Sequence, residues 1–237
     1  MKNRDINQEM SGWSPRPRPN SPTLEGRYAR LEPLSAATHA KQIHAVNMLD
    51  DRIWDYLYVG PFSSEADYRL WVETVEDGAD PVFLAIYDKQ QNGWLGVATF
   101  MRIEPEMGVI EVGNINFTPP LQRTRAATEA MYLMMKWAFD AGYRRYEWKC
   151  NALNMPSRRA AERLGFSYEG VFRQHLIVKG HNRDTAWYAV IDKDWPAVKT
   201  AFETWLEPDN FDAEGQQILS LRALTEPLLF SRDPANI

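Results

Sequence analysis

The sequence predicts an α/β (α+β) fold, with a mixed, mostly antiparallel twisted sheet and helices on both of its faces. Three observations carry that expectation. Apolar residues switch along the chain between a period of two and a period of three to four. Three consecutive extended runs between residues 81 and 117 read as an antiparallel meander. Residues 176–191 close as a hairpin. The resulting order, β-α-α-β-β-β-α-β-α-β-β with a helical trailer, supplies both layers that a sheet needs to bury its faces.

Length and composition agree with this reading. The chain has 237 residues, 44% hydrophobic and 25% charged, enough for one large domain or two small ones with a real core. A net charge of −5 gives no overall drive toward nucleic acid or an acidic membrane surface. The single cysteine, Cys150, excludes an intrachain disulfide and a multi-cysteine zinc site. His39 and His44 are five residues apart on one expected helix and point to different faces, so no metal is expected. The N-terminus lacks the apolar stretch of a secretory signal, and no later run reaches the roughly 18 apolar residues of a membrane span. A cytoplasmic setting follows as the expectation.

The elements follow in order. Residues 1–25, punctuated by Pro15, Pro17, Pro19 and Pro22, read as an extended arm that Trp13 could pin to an apolar groove. A strand begins after Gly26, and Ser35 is placed to cap a helix carrying Ala40, Ile43 and Val46. A short helix around Ile53, Trp54 and Leu57 comes next, and Ser64 with Asp67 forms a capping box for another helix. The meander strands span 81–87, 94–103 and 109–117. Ala126, Ala130, Met131, Met134, Trp137 and Ala138 then recur at helical spacing up to Gly142. A strand over 143–150, a helix over 155–164 closed by Gly165, an extended stretch over 166–172, the hairpin, and a helix over 195–206 complete the domain, 26–206. Residues 207–237 form a C-terminal extension whose leucines and Phe230 could dock on the domain or on a partner chain.

The chemistry concentrates between residues 114 and 166. The helix after Pro120 starts with unpaired amides and a partial positive charge. Arg123 and Arg125 at that start oppose the dipole by roughly 0.3–1 kcal/mol each unless an anion compensates. They therefore suggest a pyrophosphate-like ligand; two solvated arginines are the alternative.

The segment Gln122-Arg123-Thr124-Arg125-Ala126-Ala127-Thr128-Glu129-Ala130 resembles the acetyl-coenzyme A loop of the GNAT acyltransferase superfamily. Arg123 and Arg125 stand where that family usually has glycine. Helical dihedrals at these positions would make glycine dispensable. The segment from Asn151 to Phe166, with Asn154, Ser157 and Leu164-Gly165-Phe166, is similar to the family's second coenzyme motif. Gly165-Phe166-Ser167-Tyr168-Glu169-Gly170 and the late strand Asp184-Thr185-Ala186-Trp187-Tyr188 bring the resemblance closest to the RimJ/RimL-type ribosomal-protein N-terminal acetyltransferases.

The resemblance implies two central parallel strands splayed apart, ending here at Phe117 and Cys150, and acetyl-CoA as co-substrate without a metal. It implies coenzyme contacts at Phe117, Gln122, Arg123, Thr124, Arg125, Ala126, Ala127, Thr128, Asn154, Ser157 and Arg158. Gly113 would supply a bulge beside an oxyanion site. Ser157 could cap its helix or offer its hydroxyl to the thioester sulfur, or do both. The glutamate expected as base in that branch falls on Leu176, which leaves His175 beside it and Glu111 as candidates, each able to act through water.

The activity implied is direct acetyl transfer to a primary amine in a ternary complex. Neutralising a lysine-like amine at pH 7 costs about 4.6 kcal/mol, against about 1.4 for an α-amine, so a site without a strong base suits a protein or peptide α-amine or a small amine. Two alternatives remain open. One is a non-catalytic acyl-CoA-binding sensor or scaffold. The other is an antibiotic- or polyamine-modifying acetyltransferase with Asp50, Asp51, Asp55, Glu65 and Asp67 at its acceptor lip. A homo-oligomer is compatible with either.

Overall fold

The structure is a computed structural model in which residues 9–236 are described; the first eight residues of the expected arm lie outside them. Eight strands form one sheet in the order β1-β2-β3-β4-β5-β6-β8-β7. They are β1 (Leu24–Glu25), β2 (Ala29–Pro33), β3 (Val82–Asp88), β4 (Gly93–Glu104), β5 (Val109–Phe117), β6 (Arg145–Asn151), β7 (Ser167–Val178) and β8 (His181–Ile191). The helices are α1 (Ala36–Asn47), α2 (Glu65–Val75), α3 (Arg125–Asp140), α4 (Met155–Arg163), α5 (Trp195–Leu206) and α6 (Leu221–Thr225). The segment around Trp54 is a single 3-10 turn, Asp51–Trp54, capped by the Asp50 side chain.

Alternation along the strands feeds two apolar layers. Leu84, Ile86, Phe100 and Val112 meet α3 and α5 on one face, whereas Phe83, Ala85 and Val97 meet α1, α2 and Trp54 on the other. Burying a side chain the size of Phe100 contributes about 2–3 kcal/mol, so each layer holds its helices by apolar area. Local signals set the helix ends. Ser64 Oγ accepts from the Asp67 amide at 3.1 Å, and Gly142 and Gly165 take the left-handed φ values of 85° and 87° that stop α3 and α4. Ser35 behaves differently from expectation. It occupies the N-cap position of α1, yet its side chain makes no cap bond, and the amide of Ala36 is satisfied by Glu76 at 2.6 Å.

One pair of strands is parallel. β5 and β6 are in register from Val109↔Arg145 to Val112↔Trp148, and beyond it residues 113–117 and 149–151 run on without pairing to each other. This is the splay the resemblance implies. Two bulges lie in the neighbouring ladder. Between Val97 and Thr99 the pairing of β4 with β5 gains a residue on β5 at Asn114, and between Met101 and Glu104 it gains one on β4 at Arg102. Both residues are left-handed, with φ of 46° and 44°. The bulge thus falls one position after Gly113, where a Cβ would instead run into the Met101 sulfur.

The arm packs on the β4–β5 turn. Trp13 donates to the Glu106 carbonyl at 2.7 Å and lies against Gly108, Arg16 stacks over its ring, and Tyr143 donates to the Pro17 carbonyl. The extension docks partly on the domain. Leu221, Thr225 and Asp233 are buried, while Ile218 and Phe230 stay exposed.

Candidate active site

The start of α3 lies at the open end of the splay. Thr124 is its N-cap, with Oγ1 accepting from the Ala127 amide at 3.0 Å and donating to the Leu121 carbonyl. Among the described residues, no acceptor engages the backbone amides of Arg123, Arg125 or Ala126. Arg123 is exposed and left-handed, φ 62°, so the helical dihedrals expected there do not hold: this is a position where glycine would be unstrained and arginine is not. Arg125 turns away from the amides. Its guanidinium stacks over Phe211 at 4.5 Å and over Tyr28 at 5.0 Å. Gln122 donates to the Phe117 carbonyl at 2.9 Å. The side chains of Ala126, Ala127 and Thr128 are buried, and Thr128 accepts from Arg163.

Glu129 within the same motif has a role the sequence did not disclose. Its carboxylate is buried and accepts from the amides of Arg27, Tyr28 and Ala29 at 2.6–2.9 Å, tying the β1–β2 turn to α3. Only the long-range fold reveals such a clamp.

At the start of α4, Asn154 rather than Ser157 is the cap, through Oδ1 accepting from the Ser157 amide at 3.1 Å. Ser157 Oγ is thereby left for other work. It accepts from Trp148 Nε1 at 3.1 Å and sits beside Cys150, whose thiol is pushed up to about 11 by burial. That thiol is a protonated packing group at neutral pH.

Arg158, expected at the coenzyme, is turned inward. Its guanidinium is buried and bidentate to Asp233, bonds the Ala152 carbonyl at 2.7 Å, and meets Tyr188. Tyr188 also donates to Asp233, and the Asp233 amide is held by Glu162. Burial alone would raise the Asp233 carboxyl, but the bonds from Arg158 and Tyr188 outweigh it and hold the group below the usual carboxylate range.

Glu111 and His175 lie on the opposite face of β6 from Ser157. Register places Glu111 beside Glu147, and Lys149 bridges both carboxylates at 2.9 and 2.6 Å. The run continues outward through Arg102 at one end, 2.7 Å from Glu111, and through Arg145 to Glu169 at the other. Glu111 is 2% exposed and ion-paired on both oxygens, so it acts as the hub of a charge ladder. His175 is half-buried, with Nδ1 3.0 Å from Thr185 Oγ1 and no partner at Nε2 among the described residues. Burial first, then the cations Arg183, Arg102 and Lys149, lower its pKa below the ordinary value, so the ring is neutral at pH 7.

A β7 bulge between Phe172 and Leu176, with Gln174 left-handed and its amide held by Asp184, overrides simple alternation. It lets His175 face Thr185 and Trp187 while Leu176 lines a separate cavity of about 410 Å³. That cavity lies between α2, the bulged strands and the hairpin, and no Asp or Glu lines it. Three of the five acidic residues expected at an acceptor lip are engaged locally: Asp50 with Arg52, Glu65 with Arg69, and Asp67 with Ser64.

Two parallel strands that part after Val112 and Trp148, with the starts of α3 and α4 beside them, are the arrangement of an acyltransferase fold. The chain belongs to the GNAT family: the Acetyltransferase (GNAT) domain matches residues 29–167. It is 46% identical to a GCN5-related N-acetyltransferase from Brucella melitensis, with a TM-score of 0.89 over 91% of this chain and 99% of that one. A probable acetyltransferase (GNAT family) from Chromobacterium violaceum is 35% identical, with a TM-score of 0.75 over 81% and 96% of the two chains. The microcin C7 self-immunity acetyltransferase MccE, solved with acetyl-CoA and AMP, shares the fold at 20% identity and a TM-score of 0.62, over 70% of this chain and 93% of that one. No curated protein matches. Acetyl-CoA is the acyl donor of the family, and the open amides of α3 beside Arg123 fit its pyrophosphate. No helix among the described residues is long and apolar enough to cross a membrane.

Proposed function

We propose that this protein moves the acetyl group of acetyl-CoA onto a primary amine by direct attack, the acceptor being a protein or peptide α-amine or a small amine, as in the RimJ/RimL-type branch its motifs resemble. The observation that carries this reading is the end of β5–β6 pairing at Val112 and Trp148, with the Ser157 hydroxyl on one face and His175 on the other. Acetyl-CoA supplies the activated acyl group. The amides of Arg123, Arg125 and Ala126, with the Arg123 side chain, hold its phosphates, and Gln122 and Asn154 are assigned to the coenzyme by the family motifs they match.

The unpaired edge of β5 beyond Val112 offers backbone N–H groups where carbonyl charge develops. Trp148 Nε1 occupies one lone pair of Ser157 Oγ and turns its O–H outward, so the proton goes to the departing sulfur. His175 Nε2, neutral at pH 7, receives the amine proton through water. The arm, 1–25, and the extension, 207–237, frame the catalytic unit, 26–206. A cytoplasmic setting suits a chain with a reduced, buried Cys150.

Release of coenzyme A thiol, followed with a panel of primary amines, tests the reading. Ser157→Ala should lower kcat about 100-fold with KM for acetyl-CoA nearly unchanged. Acetyl-CoA binding with no turnover on any amine would instead favour the sensor reading.

A further inference from the structure

The cavity beside Leu176 has apolar walls from Trp54, Leu57, Trp71, Phe83 and Ile177, and its polar groups are few. Arg102 and Asn114 enter it from the two bulges, and Asp80 fixes the first by accepting from the amides of Arg102 and Ile103 at 2.9 Å. Left-handed arginine and asparagine cost strain, and bulges re-aim side chains, so both are held toward this space by the fold. The Asn116 Oδ1 and Tyr68 hydroxyl that also line it are buried without hydrogen-bond partners.

Charge on this face does not balance. Arg102, Lys149 and Arg145 are matched by Glu111, Glu147 and Glu169. Arg183, directly opposite Leu176 in the β7–β8 ladder, is not. It is 6% exposed, and its hydrogen bonds go to neutral hydroxyls among the described residues: Thr185 Oγ1 at 3.2 Å and Tyr58 at 3.1 Å. A desolvated guanidinium without a counter-anion is costly. The Tyr58 hydroxyl, which also borders Arg102, belongs to an exposed residue on the cavity rim and occupies the place a carboxylate oxygen would take.

We infer that the acceptor is a small apolar amine carrying a carboxylate, of the kind of a free bulky amino acid, whose apolar body fills the 410 Å³ cavity and whose carboxylate sits at the Tyr58 rim, on Arg102, which lines the cavity, and on Arg183, which lies behind Tyr58. A single desolvated guanidinium, Arg183, suits a monoanion better than a phosphate dianion. The absence of lining carboxylates opposes a polycation, and a chain-terminal α-amine, which has a neutral peptide carbonyl at that place, leaves Arg183 uncompensated. This inference rests on the acetyl-transfer reading for its substrate role but not for its binding site.

The test uses the full-length protein with three matched amines, phenylalanine, phenylalanine amide and phenethylamine, plus spermidine. Phenylalanine should show the highest kcat/KM, at least 10-fold above the amide and phenethylamine, as a charge-assisted contact implies. Arg183→Gln should collapse that ratio toward one, and Arg183→Lys should restore part of it. Equal use of the three, or preference for the amide or spermidine, overturns the inference. Calorimetry separates it from the catalytic reading. N-acetylphenylalanine should bind at least 10-fold tighter than N-acetylphenethylamine, and Arg183→Gln or Arg102→Gln should abolish the difference. Binding discrimination without turnover would keep the site and reject the enzyme. Turnover without discrimination would do the reverse.

Discussion

The two faces of β6 are built by different means. On the Ser157 face, the groups proposed to meet the acyl donor are set by short-range bonds: Thr124 caps the amide three residues on, as does Asn154, and Trp148 orients Ser157 from the adjacent strand. On the Glu111 face, Arg102, Asn114 and His175 reach position through bulges, and the bulges of Arg102 and His175 are clamped by Asp80 and Asp184 from other strands or loops. The donor is common to the family, and the side proposed to meet it rests largely on local bonds. The other side depends on contacts between residues distant in sequence.

The largest effect should come from breaking the long-range prop beneath α4 on the donor face. Asp233→Ala leaves buried Arg158 without its anion, which costs about 3–5 kcal/mol and should appear as a lower urea midpoint. The sign with pH follows from the depressed carboxyl. Its stabilisation is full above the unfolded value near 3.9 and is lost as pH falls through the lower folded value, so the variant should lose that acid limb.

A middle effect sharpens the contrast from the acceptor face. With His175 lowered from 6.5, kcat/KM should fall only below about pH 6.5, where the ring becomes protonated. In His175→Gln the rate should drop about 10-fold or more and this acid limb should vanish. An unchanged limb in the variant would remove His175 from the proton path.

The smallest effect tests the arginine standing for glycine. Arg123→Gly relieves a left-handed Cβ while loosening the unfolded chain, so stability should stay within about 1 kcal/mol of wild type. KM for acetyl-CoA should rise about twofold to fivefold, the worth of an exposed charge contact.

Much of the scaffold was legible because its causes are local. Alternation over 109–117 and the three-to-four spacing from Ala126 to Ala138 name β5 and α3, and Gly142 and Gly165 mark helix ends. The bulges were not legible. Arg102, Asn114 and Gln174 are not glycines, and their left-handed backbones are imposed by pairing with distant strands. The inward pairing of Arg158 was hidden for the same reason, since its partner Asp233 lies 75 residues away. Ser157 read as a possible cap, and geometry gives that role to Asn154 instead.

The Lys149 bolt between Glu111 and Glu147 has a consequence for robustness. Two carboxylates facing each other across parallel strands repel, and one ammonium, 6% exposed in its side chain, turns that repulsion into cohesion. Mobile ions scarcely enter so dry a junction, so the width of the gap above it is insulated from the ionic strength of the surroundings.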